Sequence, residues 1–78
     1  MDAVNHPAHY ATGNIECIDA IEAACEGLNG YEGGLVFNII KYTWRWKFKG
    51  GLEDLKKARW YLDKLISYVD KQQQHPHE

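Results

Sequence analysis

The stretch that most constrains the fold covers residues 38–49 and reads N-I-I-K-Y-T-W-R-W-K-F-K. At the α-helical angle of about 100° per residue, its polar and basic side chains share one narrow face: Asn38, Lys41, Tyr42, Arg45 and Lys49. Apolar and aromatic side chains occupy both flanks of that face. A surface helix normally has one apolar stripe and a broad polar back, so this pattern predicts a central helix that its neighbours largely cover. Its cations then need an anionic partner, because buried unpaired charge is costly.

The rest of the chain predicts two further helices and no strands. The apolar periodicity places the three helices at residues 15–26, 35–48 and 52–72, and the glycine-rich residues 27–34 are expected to form a flexible turn. Gly50 and Gly51 are expected to end the central helix. Residues 1–13 are expected to form an irregular N-terminal arm and residues 73–78 a disordered tail. The fold class is therefore all-α, a small three-helix domain that occupies residues 1–78 as a single unit.

Size and aromatic content indicate that the chain does not act alone. A domain of 78 residues buries only ~60% of the surface that its unfolded chain exposes. Three Trp, five Tyr and two Phe are more aromatic rings than such a core can easily hide. Exposed aromatic side chains favour an interface or a base-stacking site, and we expect a homo-oligomer.

The charge distribution is more informative than the total. The net charge of −2 makes nucleic acid an unlikely partner, because a general nucleic-acid binder is usually clearly basic. All nine basic residues lie within residues 41–71, whereas residues 1–40 carry only acidic ones. The two halves could pair with each other inside the chain, or the basic half could bind an anionic ligand.

Cysteine use and hydropathy indicate an intracellular protein, located in the cytoplasm. Cys17 and Cys25 are too far apart on one predicted helix to form a disulfide, and free thiols are typical of a reducing compartment. No apolar run approaches the ~20 residues that span a membrane, and the chain does not start with a basic and apolar leader.

The basic face of the central helix is the strongest candidate site. Arg offers a planar fork and Lys a point charge to a phosphate, and Tyr42 or Tyr61 could stack on a base. The alternative is an internal ion-pair network in which these cations meet Glu16, Asp19 or Asp54. The sequence leaves both explanations open.

The N-terminal arm offers a weaker candidate for metal binding. His6 and His9 have H-x-x-H spacing, and Glu16 and Asp19 could complete a metal site or hold a divalent ion on a bound phosphate. No cofactor is certain, although Mg²⁺ could accompany a bound nucleotide. The chain has no P-loop and no nucleophile elbow, so any phosphoryl transfer would depend on positioning and charge neutralisation.

Five short blocks, in order over residues 5–66, resemble the SaV-like domain, a small domain of unknown function that tailed bacteriophages and prophages encode. The blocks are His6-Pro7-x-His9-Tyr10, Gly13-x-Ile15-Glu16-x-x-Asp19, Asn38-x-x-Lys41-Tyr42-x-x-Arg45, Lys49, and Asp54-Leu55-x-Lys57-Ala58-x-x-Tyr61-Leu62. One relative in that family, a longer protein, phosphorylates deoxynucleoside monophosphates without a P-loop. The resemblance therefore implies a nucleotide-binding protein, and possible nucleotide kinase activity.

The resemblance also implies a set of site residues. Those expected to bind the nucleotide are His6, His9, Tyr10, Asn38, Lys41, Tyr42, Arg45, Lys49, Asp54, Lys57 and Tyr61. In a kinase, Lys41 and Arg45 would neutralise the phosphates and His6 or His9 would assist proton transfer.

Other functions use the same residues differently. A non-catalytic sponge would sequester a host signalling nucleotide at the same basic face without turning it over. A metal-dependent nucleotide hydrolase would use Glu16 and Asp19 to hold the ion. A protein–protein interaction module would depend on the exposed aromatic side chains, and its charges would pair internally.

Overall fold

The computed structural model of the chain describes residues 14–74. Within that range it contains three α helices and no strand: α1 (Cys17–Cys25), α2 (Gly30–Arg45) and α3 (Gly51–Gln74). The prediction of an all-α, three-helix fold is confirmed. The predicted arm, residues 1–13, and residues 75–78 of the predicted tail lie outside the described residues. Residues 73 and 74 belong to α3 and not to the tail.

The N-terminus of α2 differs most from the prediction. The glycine-rich segment was expected to be a turn up to residue 34, but α2 begins at Gly30. Asn29 and Glu32 form a capping box: the Glu32 N–H donates to Asn29 Oδ1 at 2.8 Å, and the Asn29 N–H donates to Glu32 Oε1 at 3.1 Å. These two bonds satisfy donors that a helix start leaves unpaired. The cap therefore offsets the cost of placing glycines in the first turns.

The C-terminus of α2 also differs. The helix ends at Arg45, so Trp46, Phe48 and Lys49 lie in a turn over residues 46–50 and not on the helical face where the sequence placed them. The Gly51 N–H donates to the Trp46 carbonyl at 2.6 Å. Gly51 has φ of +58°, a left-handed conformation that glycine adopts without steric cost. This residue starts α3 where the sequence predicted only a helix stop.

Helix α2 lies in the middle and packs against both α1 and α3. Antiparallel packing of α2 and α3 brings the Asn29 side chain to Tyr68 at one end, and Arg45 to Asp54 at the other. The short α1 contacts α2 near Gly33, whose carbonyl accepts a weak bond from Cys25 Sγ at 3.6 Å. Neighbours therefore lie on two sides of the basic central helix, but they cover it less than the sequence predicted, because Leu35 is the only buried residue of α2.

The apolar core is small. Among the described residues only four apolar side chains are fully buried: Cys17, Ile21, Leu35 and Ala58. Burial raises the pKa of the Cys17 thiol, so this side chain stays neutral and packs as a small apolar group. Several large apolar side chains of α3 remain exposed. No helix in residues 14–74 combines the length and the hydropathy that a membrane crossing needs.

Candidate functional site

Three cationic side chains surround the ring of Tyr42 on α2. Lys41 Nζ lies 4.6 Å from the ring centroid, the Arg45 guanidinium carbon 4.9 Å, and Lys57 Nζ 5.5 Å. All three distances are within the ~6 Å range of a cation–π contact. The ring of Tyr61 stacks on the same tyrosine, with centroids 6.1 Å apart and planes 18° apart. We call these five residues together with Asp54 the Tyr42 cluster.

Helix geometry explains why these residues meet. Lys41, Tyr42 and Arg45 share a face of α2 because residues three and four apart are neighbours on a helix surface. On α3, Asp54, Lys57 and Tyr61 share a face for the same reason. Antiparallel packing places the two faces opposite each other. Six of the residues predicted from the sequence are therefore neighbours in space, which their positions along two separate helices did not guarantee.

Arg45 and Asp54 form the buried part of the cluster. Arg45 Nε donates to Asp54 Oδ2 at 2.9 Å and Nη2 donates to Oδ1 at 3.3 Å, and the Asp54 carboxylate is only 2% exposed. The hydrogen bond from Arg45 lowers the pKa of Asp54, and the charges of Arg45 and Lys57 add to this effect, while burial opposes it. Asp54 is therefore ionised at neutral pH. For Arg45, the structure agrees with the internal ion pair that the sequence left open as an alternative.

Gly50 makes room for this carboxylate. A Cβ built on Gly50 would overlap the carboxylate atoms of Asp54. A larger side chain at position 50 therefore requires either the Asp54 carboxylate or the backbone of residue 50 to move. The Gly50 carbonyl also accepts the Asp54 N–H at 3.4 Å. From the sequence, Gly50 was expected only to end the central helix. The one sequence signal of this second role is that Gly50 lies four residues before the acidic residue Asp54.

The charges of the cluster do not cancel. Three cations share one carboxylate, which leaves a formal charge of +2. Lys41 and Lys57 make no ion pair with any acidic side chain among residues 14–74, so their charge is available to an anion. Lys41 is half-buried and Lys57 exposed, beside half-buried aromatic rings. This arrangement suits a ligand that combines negative charge with a flat apolar group.

The other predicted binding residues lie apart from the cluster or outside the described chain. Asn38 donates its side-chain amide to the Gly34 carbonyl at 3.0 Å and lines a groove between α1 and α2. Lys49 is exposed in the turn after α2. His6, His9 and Tyr10 precede the described residues, and their predicted roles stay predictions.

The predicted metal ligands Glu16 and Asp19 lie at the start of α1. Glu16 occupies the N-cap position with extended backbone, and its side chain does not cap the helix; Asp19 is exposed in the first turn. Within residues 14–74, no three His, Cys, Asp or Glu side chains come together in a way that could hold a metal ion. A site that also used His6 or His9 would extend beyond the described chain, so the metal prediction is still open.

Residues 4–63 match the model of a protein family described as being of unknown function, DUF3310. The match spans most of the chain and includes every member of the Tyr42 cluster. No curated protein and no solved structure matches the chain. Function therefore has to be argued from the cluster itself.

Proposed function

Because this chain belongs to the DUF3310 family, whose function is unknown, we propose a function from its own chemistry: it binds a nucleotide at the Tyr42 cluster. The observation that carries the proposal is the excess of cations around one aromatic ring. Three cationic groups lie within 5.5 Å of the Tyr42 centroid, and among residues 14–74 the one carboxylate that forms an ion pair with any of them is Asp54. A nucleotide supplies the two complementary features, a negatively charged phosphate and a flat base.

Each residue of the cluster has a distinct task in this proposal. Lys41 and Lys57 neutralise the phosphate, since their ammonium groups have no acidic partner among the described residues. A base stacks beside the Tyr42–Tyr61 pair, a contact that tolerates any base because every base has a π-face. Arg45 acts mainly through Asp54: the pair joins α2 to α3 and so sets the spacing of the two lysines.

The finer form of the proposal is enzymatic. The resemblance to the SaV-like domain, which has one relative that phosphorylates deoxynucleoside monophosphates, supports a phage-encoded nucleotide kinase that works in the host cytoplasm without a P-loop. In this form Lys41 and His6 or His9 would act on the substrate, and Arg45, also predicted as a catalytic residue, would contribute through its ion pair with Asp54. Positioning and charge neutralisation supply most of the catalysis in phosphoryl transfer. A sponge that holds a host nucleotide without turnover uses the same cluster, and a turnover assay separates the two.

We further propose that the protein is a homo-oligomer whose contact is the outer face of α3. Leu62, Ile66 and Val69 lie along that face and are 44%, 56% and 40% exposed. An antiparallel second copy, matched about the Leu62–Ile66 turn, would bring Arg59 of one chain near Asp70 of the other. A parallel copy would bring like charges together. The opposite charges of Arg59 and Asp70 therefore support a two-fold arrangement of the proposed interface.

The first experiment is a thermal-shift and calorimetric screen against mono-, di-, tri- and cyclic nucleotides, with and without Mg²⁺. A ligand that binds the native state raises the melting temperature by mass action. We expect Lys41→Ala and Lys57→Ala each to weaken binding at least ~10-fold, the loss of one charge-assisted contact. Lys47→Ala and Lys56→Ala remove the same charge from exposed positions outside the cluster and should bind normally.

Two results would overturn the nucleotide proposal. One is the absence of any shift or heat with all nucleotides tested. The other is equal loss of affinity in the cluster variants and the control variants, which would indicate only a general effect of net charge. Either result would favour an interaction module, in which case the exposed aromatic side chains become the residues to test.

A further inference from the structure

We propose that the protein has a second nucleotide subsite on the α2–α3 seam, formed by Tyr31, Lys64, Ser67, Tyr68 and Lys71, and that it holds two nucleotide units side by side along α3. The inference rests on the proposed function, because it gives the Tyr42 cluster a neighbour of the same chemistry. The experiment below separates failure of the second subsite from failure of nucleotide binding as such.

The first observation is a groove of about 360 Å³ lined by these five residues. This volume is at the lower end of the range for small-ligand sites. The rings of Tyr31 and Tyr68 meet in the groove with centroids 4.9 Å apart and planes tilted by 54°. Two of the five lining residues are lysines and none is acidic, so the groove has a formal charge of +2. It therefore repeats the properties of the Tyr42 cluster: one tyrosine from each helix and an excess of positive charge.

The second observation is a repeat in the sequence of α3. Lysine and tyrosine alternate as Lys57, Tyr61, Lys64, Tyr68 and Lys71, so that each residue type recurs every seven positions. Seven residues are close to two turns of helix, which keeps the repeat on one face, and correspond to ~10 Å along the axis. Tyr61 faces Tyr42 of α2 and Tyr68 faces Tyr31. The two tyrosines of α3 thus lie ~10 Å apart along the axis, and their partners on α2, eleven residues apart, ~16 Å, with lysines of α3 before, between and after Tyr61 and Tyr68.

The third observation is that the second subsite is held in place. The hydroxyl of Tyr68 accepts a hydrogen bond from Asn29 Nδ2 at 3.0 Å, and the capping box with Glu32 fixes Asn29. Beside the Tyr42 cluster, Trp60 lies edge-on to Tyr61, with ring centroids 5.0 Å apart. Lys64 Nζ lies 5.4 Å from the centre of the Trp60 ring, which is 56% exposed. Lys64, which lines the second groove, therefore also contacts an aromatic ring beside the Tyr42 cluster.

This pattern points to a ligand with two phosphates and two bases. Cations that follow a backbone, interleaved with aromatic platforms, are the common means of binding single nucleotides in a row. Two sources supply the same chemistry: a linked dinucleotide and two separate mononucleotides. Lysines that only keep a helix face solvated would show neither cooperation between subsites nor a preference for linked nucleotides.

The test uses isothermal titration calorimetry on the full chain. The ligands are the four deoxynucleoside monophosphates and their 5′-phosphorylated homodinucleotides. For the wild-type protein we expect two monophosphates per chain, or a dinucleotide that binds at least ~10-fold tighter than its monophosphate because linkage raises the effective concentration of the second unit. Two monophosphates without a gain on linkage would identify separate nucleotides as the ligand; a gain would identify a linked one.

The decisive variant is the double substitution Lys64→Ala/Lys71→Ala. It should bind one monophosphate per chain with wild-type affinity at the Tyr42 cluster, and it should lose the gain from linkage. The matched control is Lys47→Ala/Lys56→Ala, which removes the same charge from exposed positions outside both subsites and should behave as the wild type.

Three results would overturn the inference. One monophosphate per chain with no gain on linkage would remove the second subsite and leave the Tyr42 cluster intact. Equal losses in the two double variants would reduce the effect to net charge. Failure of every nucleotide to bind the wild-type protein would remove the second subsite together with the proposed function.

Discussion

The Arg45 guanidinium, at the last residue of α2, holds the Asp54 carboxylate in the first turn of α3 by two hydrogen bonds, of 2.9 and 3.3 Å. Both side chains are largely withdrawn from water, at 13% and 2% exposure. This ion pair stabilises the fold, because it joins α2 to α3 across a turn of five residues. Because its guanidinium is already bonded to Asp54, Arg45 has a structural role besides any contact with a ligand.

We therefore predict that Arg45→Ala destabilises the protein by about 3 kcal/mol, because loss of one partner leaves a buried charge uncompensated. The double variant Arg45→Met/Asp54→Leu should recover much of that loss, since it removes both charges and keeps the volume. Chemical denaturation followed by circular dichroism measures both values. An Arg45→Ala protein as stable as the wild type would contradict a structural role for the pair and would return Arg45 to the phosphate site.

Gly50→Ala should be destabilising because the new Cβ takes the space of the Asp54 carboxylate. We expect a loss of about 1–3 kcal/mol, the usual cost of overpacking. Gly34→Ala is the matched control: Gly34 lies inside α2 with open space around its Cα, so alanine there should stabilise by ~0.5–1 kcal/mol through its better helix propensity. Equal melting temperatures for the two variants would show that the carboxylate moves aside at little cost.

Acid should weaken the fold through Asp54. Because Arg45 lowers the pKa of this carboxyl in the folded chain, the unfolded chain binds its proton at a higher pH than the folded chain does. The stabilisation is complete above the unfolded pKa of about 3.9, and it is lost as the pH falls toward the lower folded value. Asp54→Asn should be less stable at pH 7 and should lose less on acidification to pH 3. Parallel stability curves for the two proteins would contradict this.

Ile66→Lys should dissociate the proposed oligomer, because it places a charge in the middle of the exposed apolar face of α3. Sedimentation velocity at several concentrations should then show a smaller species than the wild type. Ala24→Lys adds the same charge at an exposed position on α1 and should leave the assembly unchanged. A wild-type protein that sediments as a monomer at all concentrations would contradict the proposed homo-oligomer.

Periodicity was sufficient to predict the number of helices and the grouping of Lys41, Tyr42 and Arg45, because helical geometry alone places residues three and four apart on one face. The same geometry places Lys57 and Tyr61, four residues apart, on one face of α3. Their meeting across the seam needed only antiparallel packing, which short connections favour.

Periodicity could not predict two features, the start of α2 and the acidic partner of Arg45. The high glycine content of residues 27–34 favours a turn, so the predicted start of α2 was five residues late. The capping-box hydrogen bonds of Asn29 and Glu32 decide this boundary, and average helix propensity does not. The partner of Arg45 was also undetermined. Glu16, Asp19 and Asp54 were equally plausible counter-ions by charge, and only the space beside Gly50 favours Asp54.

The two ends of the α2–α3 pair are each fastened by one polar contact, Asn29 with Tyr68 and Arg45 with Asp54. To slide one helix along the other by a turn would break both contacts at once, so these contacts oppose a change of register at the α2–α3 seam. Anything that binds along it meets positions whose spacing is set before binding. Such a surface would select ligands by the distance between their two phosphates. It would reject a ligand whose phosphates are held further apart by a spacer, even if each end fitted well.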